Sequence, residues 1–185
     1  DNLTFSDHTA LTAALFPQIL QRLRAAETAA PAKSLFDNIK SISSQDSQTI
    51  QVTLISPDPS LPALLAHPAL AALPLHRIGD AGNRWTSDRP LITSGPYQLI
   101  DWKLNDHARL IRNSQWHDEP APAAQIIWKP MDDSLSAMRL FLAGGADIAS
   151  DYPASRPNSL VAEPPDQTHS VPYPGSSYFA SNPPV

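Results

Sequence analysis

Between Thr12 and Arg24 the apolar side chains recur as Phe16, Ile19, Leu20 and Leu23, with Gln18, Gln21, Arg22 and Arg24 between them. Spacings of three and four residues place the first set on one face of a helix and the second on the other, so an amphipathic helix capped by Thr12 is predicted. Pro17 fits such a helix only in its first turn, where a missing N–H costs no intrahelical bond. A shorter helix is predicted over residues 34–42, because Leu35, Ile39 and Ile42 stand at i, i+4 and i+7. From Thr49 to Leu54 the period changes to two, with Ile50, Val52 and Leu54 alternating with Thr49, Gln51 and Thr53, which is the pattern of a half-buried strand.

Pro57, Pro59 and Pro62 break the chain before an Ala/Leu-rich stretch, Leu64 to Leu73, which Pro68 divides into two short helical turns. Tyr97 to Leu104 and His107 to Ile111 read as two strands joined at Asn105 and Asp106, residues that accept positive φ, and so as a hairpin. Gln125 to Lys129 is a further strand. Asp132 or Asp133 then caps a helix through Leu135, Met138 and Leu142 that Gly144 or Gly145 stops. With residues 146–149 as a short strand, this segment reads as a βαβ unit. A last strand is expected at Ser176 to Ser181.

Composition narrows the class. Apolar residues make up 42% of the 185 and charged residues 17%, a balance that supports a packed core and not disorder. The 20 prolines crowd toward the end, so residues 151–185 read as extended or irregular. A net charge of −5 without a Lys/Arg cluster argues against nucleic acid, which needs a basic face to displace counterions. The longest apolar run, Leu61 to Leu75, is interrupted by prolines and His67 and falls short of the ~20 residues of a membrane helix. The absence of Cys excludes disulfides and thiolate chemistry. Asp1 to Phe5 carry no secretory signal, and the abrupt start and the Pro183-Pro184-Val185 end read as those of a fragment.

Five segments, in order, resemble the family 5 extracellular solute-binding proteins, the periplasmic oligopeptide- and dipeptide-binding proteins of ABC transporters. FSDHTALTA (Phe5 to Ala13) is similar to the family's W/F-S-D-G-x-P-L-T-A segment. Thr49 to Pro74 is similar to its strand and proline-rich segment, and Asn83 to Trp116, with TSGPY, to its W…GTGPY…W…L-R-N core. Met131 to Ala149 resembles the helix that ends in a glycine turn, and SSYFASN (Ser176 to Asn182) the family's Y-x-x-x-N strand. His8 stands where the family usually has Gly and Ala10 where it has Pro; His tolerates positive φ, so the turn is expected to survive.

The resemblance implies an α/β fold, a partial lobe of the periplasmic-binding-protein type II kind with a mixed sheet flanked by helices. Residues 1–48 would be the helical segment of the N-terminal lobe, 49–150 its α/β core, and 151–185 a Pro-rich connection and crossing strand toward a second lobe. It implies binding of an oligopeptide or similar small ligand (nickel chelate, haem or sugar) between two lobes, delivery to an ABC permease, a monomer, and a periplasmic or lipid-anchored location. By family position Trp128, in a central strand, and Tyr178, Phe179 and Asn182, in the crossing strand, stand nearest the ligand. The alternative is a ligand-sensing domain of a bacterial transcription regulator, which an upstream helix-turn-helix in place of a signal peptide would distinguish.

Neither cofactor nor metal is expected, and no catalytic residue is assigned. Ser6, Asp7 and His8 include the residue types of a hydrolase triad, but three adjacent residues cannot converge on one proton path, and TSGPY lacks the second glycine of a nucleophile elbow. The six histidines show no i, i+4 pair of the helical zinc kind. Asp132 and Asp133 offer oxygen ligands for a hard cation, yet an acidic pair before a helix is better read as an N-cap. Trp85, Trp102, Trp116 and Tyr97, like Trp128 and Tyr178, have the rigid apolar area to wall a pocket, but core packing is the expected role for each.

Overall fold

A computed structural model describes residues 3–150, the side chains of Asp80, Ala81 and Asn83 excepted. The chain divides into two units, Asp1–Pro130 and Met131–Val185.

The first predicted helix forms as α1, Leu15–Arg24, and buries Ile19, Leu20 and Leu23. It starts after Ala14 and has no side-chain cap, so Thr12 is not the capping residue. Pro17 falls in the first turn, as its chemistry requires. The helix predicted over residues 34–42 does not form. Lys33–Phe36 is a 3-10 turn and Ile39–Ser44 is a strand, β1. Strand β1 pairs antiparallel with β2, Ile50–Leu54, and the register shifts between Ile39 and Ser41. The extra residue, Lys40, lets Ile39 oppose Leu54 and Ile42 oppose Val52 on one face of the pair. A bulged strand thus imitates the three-residue spacing of a helix, and β-branched Ile39 and Ile42 pack better on the pleat.

Helix α1 packs on β1. Ile19, Leu20, Leu23, Phe36, Ile39, Ile42 and Leu70 form one buried cluster, with Val52 and Leu54 against its side. Burying such a side chain contributes about 1.5–3 kcal/mol. The Arg24 guanidinium closes the end of the cluster by donating to the carbonyls of Phe36, at 3.2 Å, and Ile39. The Ala/Leu-rich stretch forms two short turns divided at Pro68, as expected, but the first, α2, Leu61–Leu65, starts earlier and takes Pro62 into its first turn; the second is a 3-10 turn, Pro68–Leu70, whose first free N–H (Ala69) is accepted by His67 Nδ1 at 3.1 Å. Helix α3, Leu75–Ala81, follows and leads into a 3-10 segment, Gly82–Ser87.

The predicted hairpin forms from β3, Tyr97–Lys103, and β4, His107–Arg112, and β5, Gln125–Trp128, joins β4 antiparallel. Asn105 has φ +60° at the third position of the turn that the Asp106 N–H closes on Lys103 O. A second bulge, at Ile100, puts Leu99 and Trp102 on one face. The sheet order is β3-β4-β5. Among the described residues β5, and with it Trp128, therefore lies at an edge of the sheet, and not in its centre. Both described sheets are antiparallel.

In the second unit Asp133 caps α4, Ser134–Leu142, by accepting from Ser136 N–H at 2.8 Å and Ser136 Oγ at 2.7 Å. Gly144, with φ +71°, ends it; its N–H reaches Phe141 O and the Gly145 N–H reaches Leu140 O, the two bonds of a Schellman motif. Residues 146–149 form no strand, and the βαβ unit lacks its second strand there. Ile148 is 84% exposed, so this short segment has no packed face to support a strand.

Candidate ligand-binding site

The two motif segments nearest the start and the middle of the chain meet in space. Residues Phe5 to Thr9 close a tight turn in which His8 N–H donates to Phe5 O and Phe5 N–H to Thr9 O, both at 2.9 Å. His8 has φ +67°, so the residue that replaces the family's glycine does take the left-handed conformation. Phe5 is fully buried. Ser6 N–H donates to Thr93 O at 2.8 Å, Thr93 N–H donates back to Ser6 Oγ at 3.1 Å, and the Gln98 amide donates to the same oxygen at 3.0 Å. TSGPY is thereby fastened to the SDH turn.

This arrangement rules out the hydrolase reading of the triplet. Asp7 pairs not with His8 but with His76 of α3, Oδ2 to Nε2 at 2.8 Å, and Ser6 Oγ is held by an amide and a main-chain N–H. Among the described residues no hydrogen bond joins Ser6 to a histidine. Burial pushes the Asp7 carboxyl up, but hydrogen bonds from His76 and from Thr9 N–H outweigh it and hold the pKa below the ordinary carboxylate value. Among the described residues no three His, Asp or Glu side chains converge in a way that could hold a metal ion.

Beside the SDH turn a cleft of 640 Å³ opens between α3, the segment Trp85 to Ile92 and Gln98 of β3. Arg77 and Asp88, both in its lining, pair with each other, Nη2 to Oδ2 at 2.9 Å. Sequence reasoning missed Arg77 and Asp88, which stand 11 positions apart in no recognisable pattern, and His76, whose partner Asp7 is 69 positions away.

Of the residues expected nearest a ligand, Trp128 is the one inside the described structure. It is 66% exposed on β5, and it shares a row of the sheet with Ala108 and Trp102, itself 58% exposed. Residues opposite one another in a ladder share a face, so the two indoles flank Ala108 on a single side. Tyr178, Phe179 and Asn182, and the strand expected at Ser176 to Ser181, lie outside the described residues. Gly95, Pro96 and Tyr97 shape the entrance to the hairpin: buried Asn113 donates its side-chain amide to Gly95 O at 2.8 Å and its N–H to Pro96 O at 2.9 Å. Tyr97 Oη reaches Ala123 O at 3.0 Å.

Two antiparallel sheets with helices against them, joined through these turns, define an α/β module of the periplasmic-binding-protein fold. Residues 1–184 match the sequence family described as "Bacterial extracellular solute-binding proteins, family 5 Middle". The chain belongs to that family. The periplasmic oligopeptide-binding protein OppA of Salmonella typhimurium is 27% identical over 98% of this chain and 37% of its own length. The periplasmic murein peptide-binding protein MppA of Escherichia coli is 25% identical over the same shares of both chains. The crystal structure of a periplasmic oligopeptide-binding protein (OppAIV) of Borrelia burgdorferi superposes with a TM-score of 0.80 at 26% identity, over 87% of this chain and 36% of that one. The chain thus spans little more than a third of the length of these relatives.

Proposed function

We propose that this chain is the ligand-binding part of an extracytoplasmic solute-binding component of an ABC importer, taking oligopeptides or similar small ligands between two lobes and catalysing no reaction. The observation that carries this reading is the family match over residues 1–184, supported by relatives named for oligopeptide and murein peptide binding. Lobes of this kind close on a ligand by a hinge. Peptide recognition then rests on main-chain hydrogen bonds to an extended ligand, with roomy pockets for its side chains. In this reading Trp128 supplies rigid apolar area to the wall of the site, with Tyr178 and Phe179, and Asn182 hydrogen-bonds the peptide groups.

The test is a thermal-shift screen of the protein in its natural full length against tri- to pentapeptide pools, nickel chelates and sugars. A ligand at about 100 times its Kd adds about 2.7 kcal/mol of stability. A shift with the peptide pools is expected. A shift with a sugar or chelate alone would overturn the ligand class, and hydrolysis of the peptides would overturn the non-catalytic reading.

A further inference from the structure

The 640 Å³ cleft of the first unit carries a charge pattern that the solute-binding reading does not use. Its volume is within the roughly 300–1,000 Å³ range of small-molecule sites. Three of the four charged side chains in its lining have side-chain partners: Asp7 shares a hydrogen bond with His76 at 2.8 Å, and Arg77 and Asp88 form an ion pair with each other at 2.9 Å. Arg89 is the fourth, and among the described residues no carboxylate lies within ion-pair distance of it. Its guanidinium is nonetheless fixed. Nη1 donates to the main-chain carbonyls of Thr86 and Asp88, at 2.7 and 2.6 Å, and the group's carbon sits 5.7 Å from the centre of the Trp102 ring.

An arginine whose Nη1 is held by two carbonyls and whose charge lies within cation–π range of an indole keeps its other edge, Nε and Nη2, for a further acceptor. That edge matches the two oxygens of a planar acceptor such as carboxylate. Apolar surface from Trp85, Leu91 and Ile92 lines the same cleft. We propose that this cleft is a second binding site, for a small organic monocarboxylate whose carboxylate pairs with Arg89 and whose uncharged apolar body lies against Trp85. One positive charge with no carboxylate partner among the described residues selects a monoanion, because a further carboxylate would meet Asp7 and Asp88. The site is built from residues of one unit alone, so it does not depend on closure over a transported ligand, and it stands or falls independently of the function proposed above.

The experiment titrates the 185-residue chain with phenylacetate while following the indole N–H signals by NMR, with the Trp85 signal assigned by Trp85→Phe. Phenylacetamide, which has the same shape without the charge, acetate and inorganic phosphate are run alongside. Phenylacetate is expected to shift the Trp85 signal saturably and phenylacetamide to bind about tenfold more weakly or not at all, in keeping with one charge-assisted bidentate contact. Arg89→Gln is expected to lose the response. Arg89→Lys, which keeps the charge and loses the fork, is expected to weaken it and serves if the Gln variant does not fold. Equal binding of phenylacetate and phenylacetamide, an unchanged response in a folded Arg89 variant, or no saturable shift with phenylacetate would each overturn the proposal. Phosphate or acetate matching phenylacetate would overturn the apolar half of the site.

Discussion

Residues 15–75 and residues 97–128 are both built on antiparallel strands, but different forces hold them. In the first region a helix covers one face of a two-stranded ribbon, and seven side chains from α1, Phe36, β1 and Leu70 are buried as one cluster. In the second, no residue of β3, β4 or β5 is fully buried. Its order comes from the strand ladders and from polar ties: Arg112 donates to the carbonyls of Ala121 and Pro122, both at 2.6 Å, and Asn113 to Gly95 O. At the hairpin tip Lys103 and Asp106 form an ion pair and His107 and Asp101 share a hydrogen bond at 2.9 Å. The contrast teaches where contact surface is to be sought. A sheet that leaves Trp102 and Trp128 exposed has apolar area available for the ligand contact proposed above, whereas the helix-covered ribbon uses its apolar face for stability.

The contrast predicts a graded response to substitution. Phe36→Ala empties the middle of the cluster and is expected to cost about 3–5 kcal/mol in a urea titration, enough to unfold the first region under mild conditions. Asn113→Ala removes the donor to Gly95 O and the acceptor for Gln115 N–H in a buried place; about 1–3 kcal/mol is expected by the same titration. A cost for Asn113→Ala below a few tenths of a kcal/mol would break the idea that polar ties order the sheet region.

A smaller effect is expected from pH. The hydrogen bond from His107 lowers the Asp101 pKa, that from Lys103 lowers the Asp106 pKa, and the Asp106 bond raises that of Lys103. Lowered carboxylates contribute stability above their ordinary range that is lost as pH falls through the folded values; the raised lysine contributes below its ordinary range and loses this as pH rises through its folded value. Amide exchange at the β3–β4 turn should therefore be slowest at intermediate pH and speed up below about pH 4, near the unperturbed aspartate value. An exchange profile that, after correction for intrinsic rates, is flat from neutral to acid pH would show that these pairs do not hold the tip. The smallest effect on stability belongs to Trp128→Ala, within about 0.5 kcal/mol, because the side chain is already in water. A loss comparable to that of Phe36→Ala would erase the distinction between the two regions.

Much of the fold is legible in residue order. The face formed by Ile19, Leu20 and Leu23, the alternation of Ile50, Val52 and Leu54, the Asn105 turn, the Asp133 cap and the Gly144 stop are local, since each depends on spacings within a few residues or on one residue's φ preference. The segment around Ile39 was misread because a bulge at Lys40 gives a strand the spacing of a helix, and bulges depend on the partner strand. Of the binding residues, sequence order indicates aromatic candidates by type but not which face they share; the row of Trp102, Ala108 and Trp128 exists only once β4 has paired on both sides.

What the sequence determined by itself was α1, β2, the hairpin, the Asp133 cap, the Gly144 stop and the family, because periodicity, turn chemistry and motif order are properties of neighbours along the chain. What only the tertiary structure decided was pairing at a distance. Asp7 meets His76 and not His8, Ser6 is occupied by Thr93 and Gln98, and among the described residues Arg77 has a carboxylate partner while Arg89 has none. Such pairings follow from how whole elements pack, since a side chain's partners are set by the backbone that carries it and no spacing between positions 7 and 76 encodes a 2.8 Å contact.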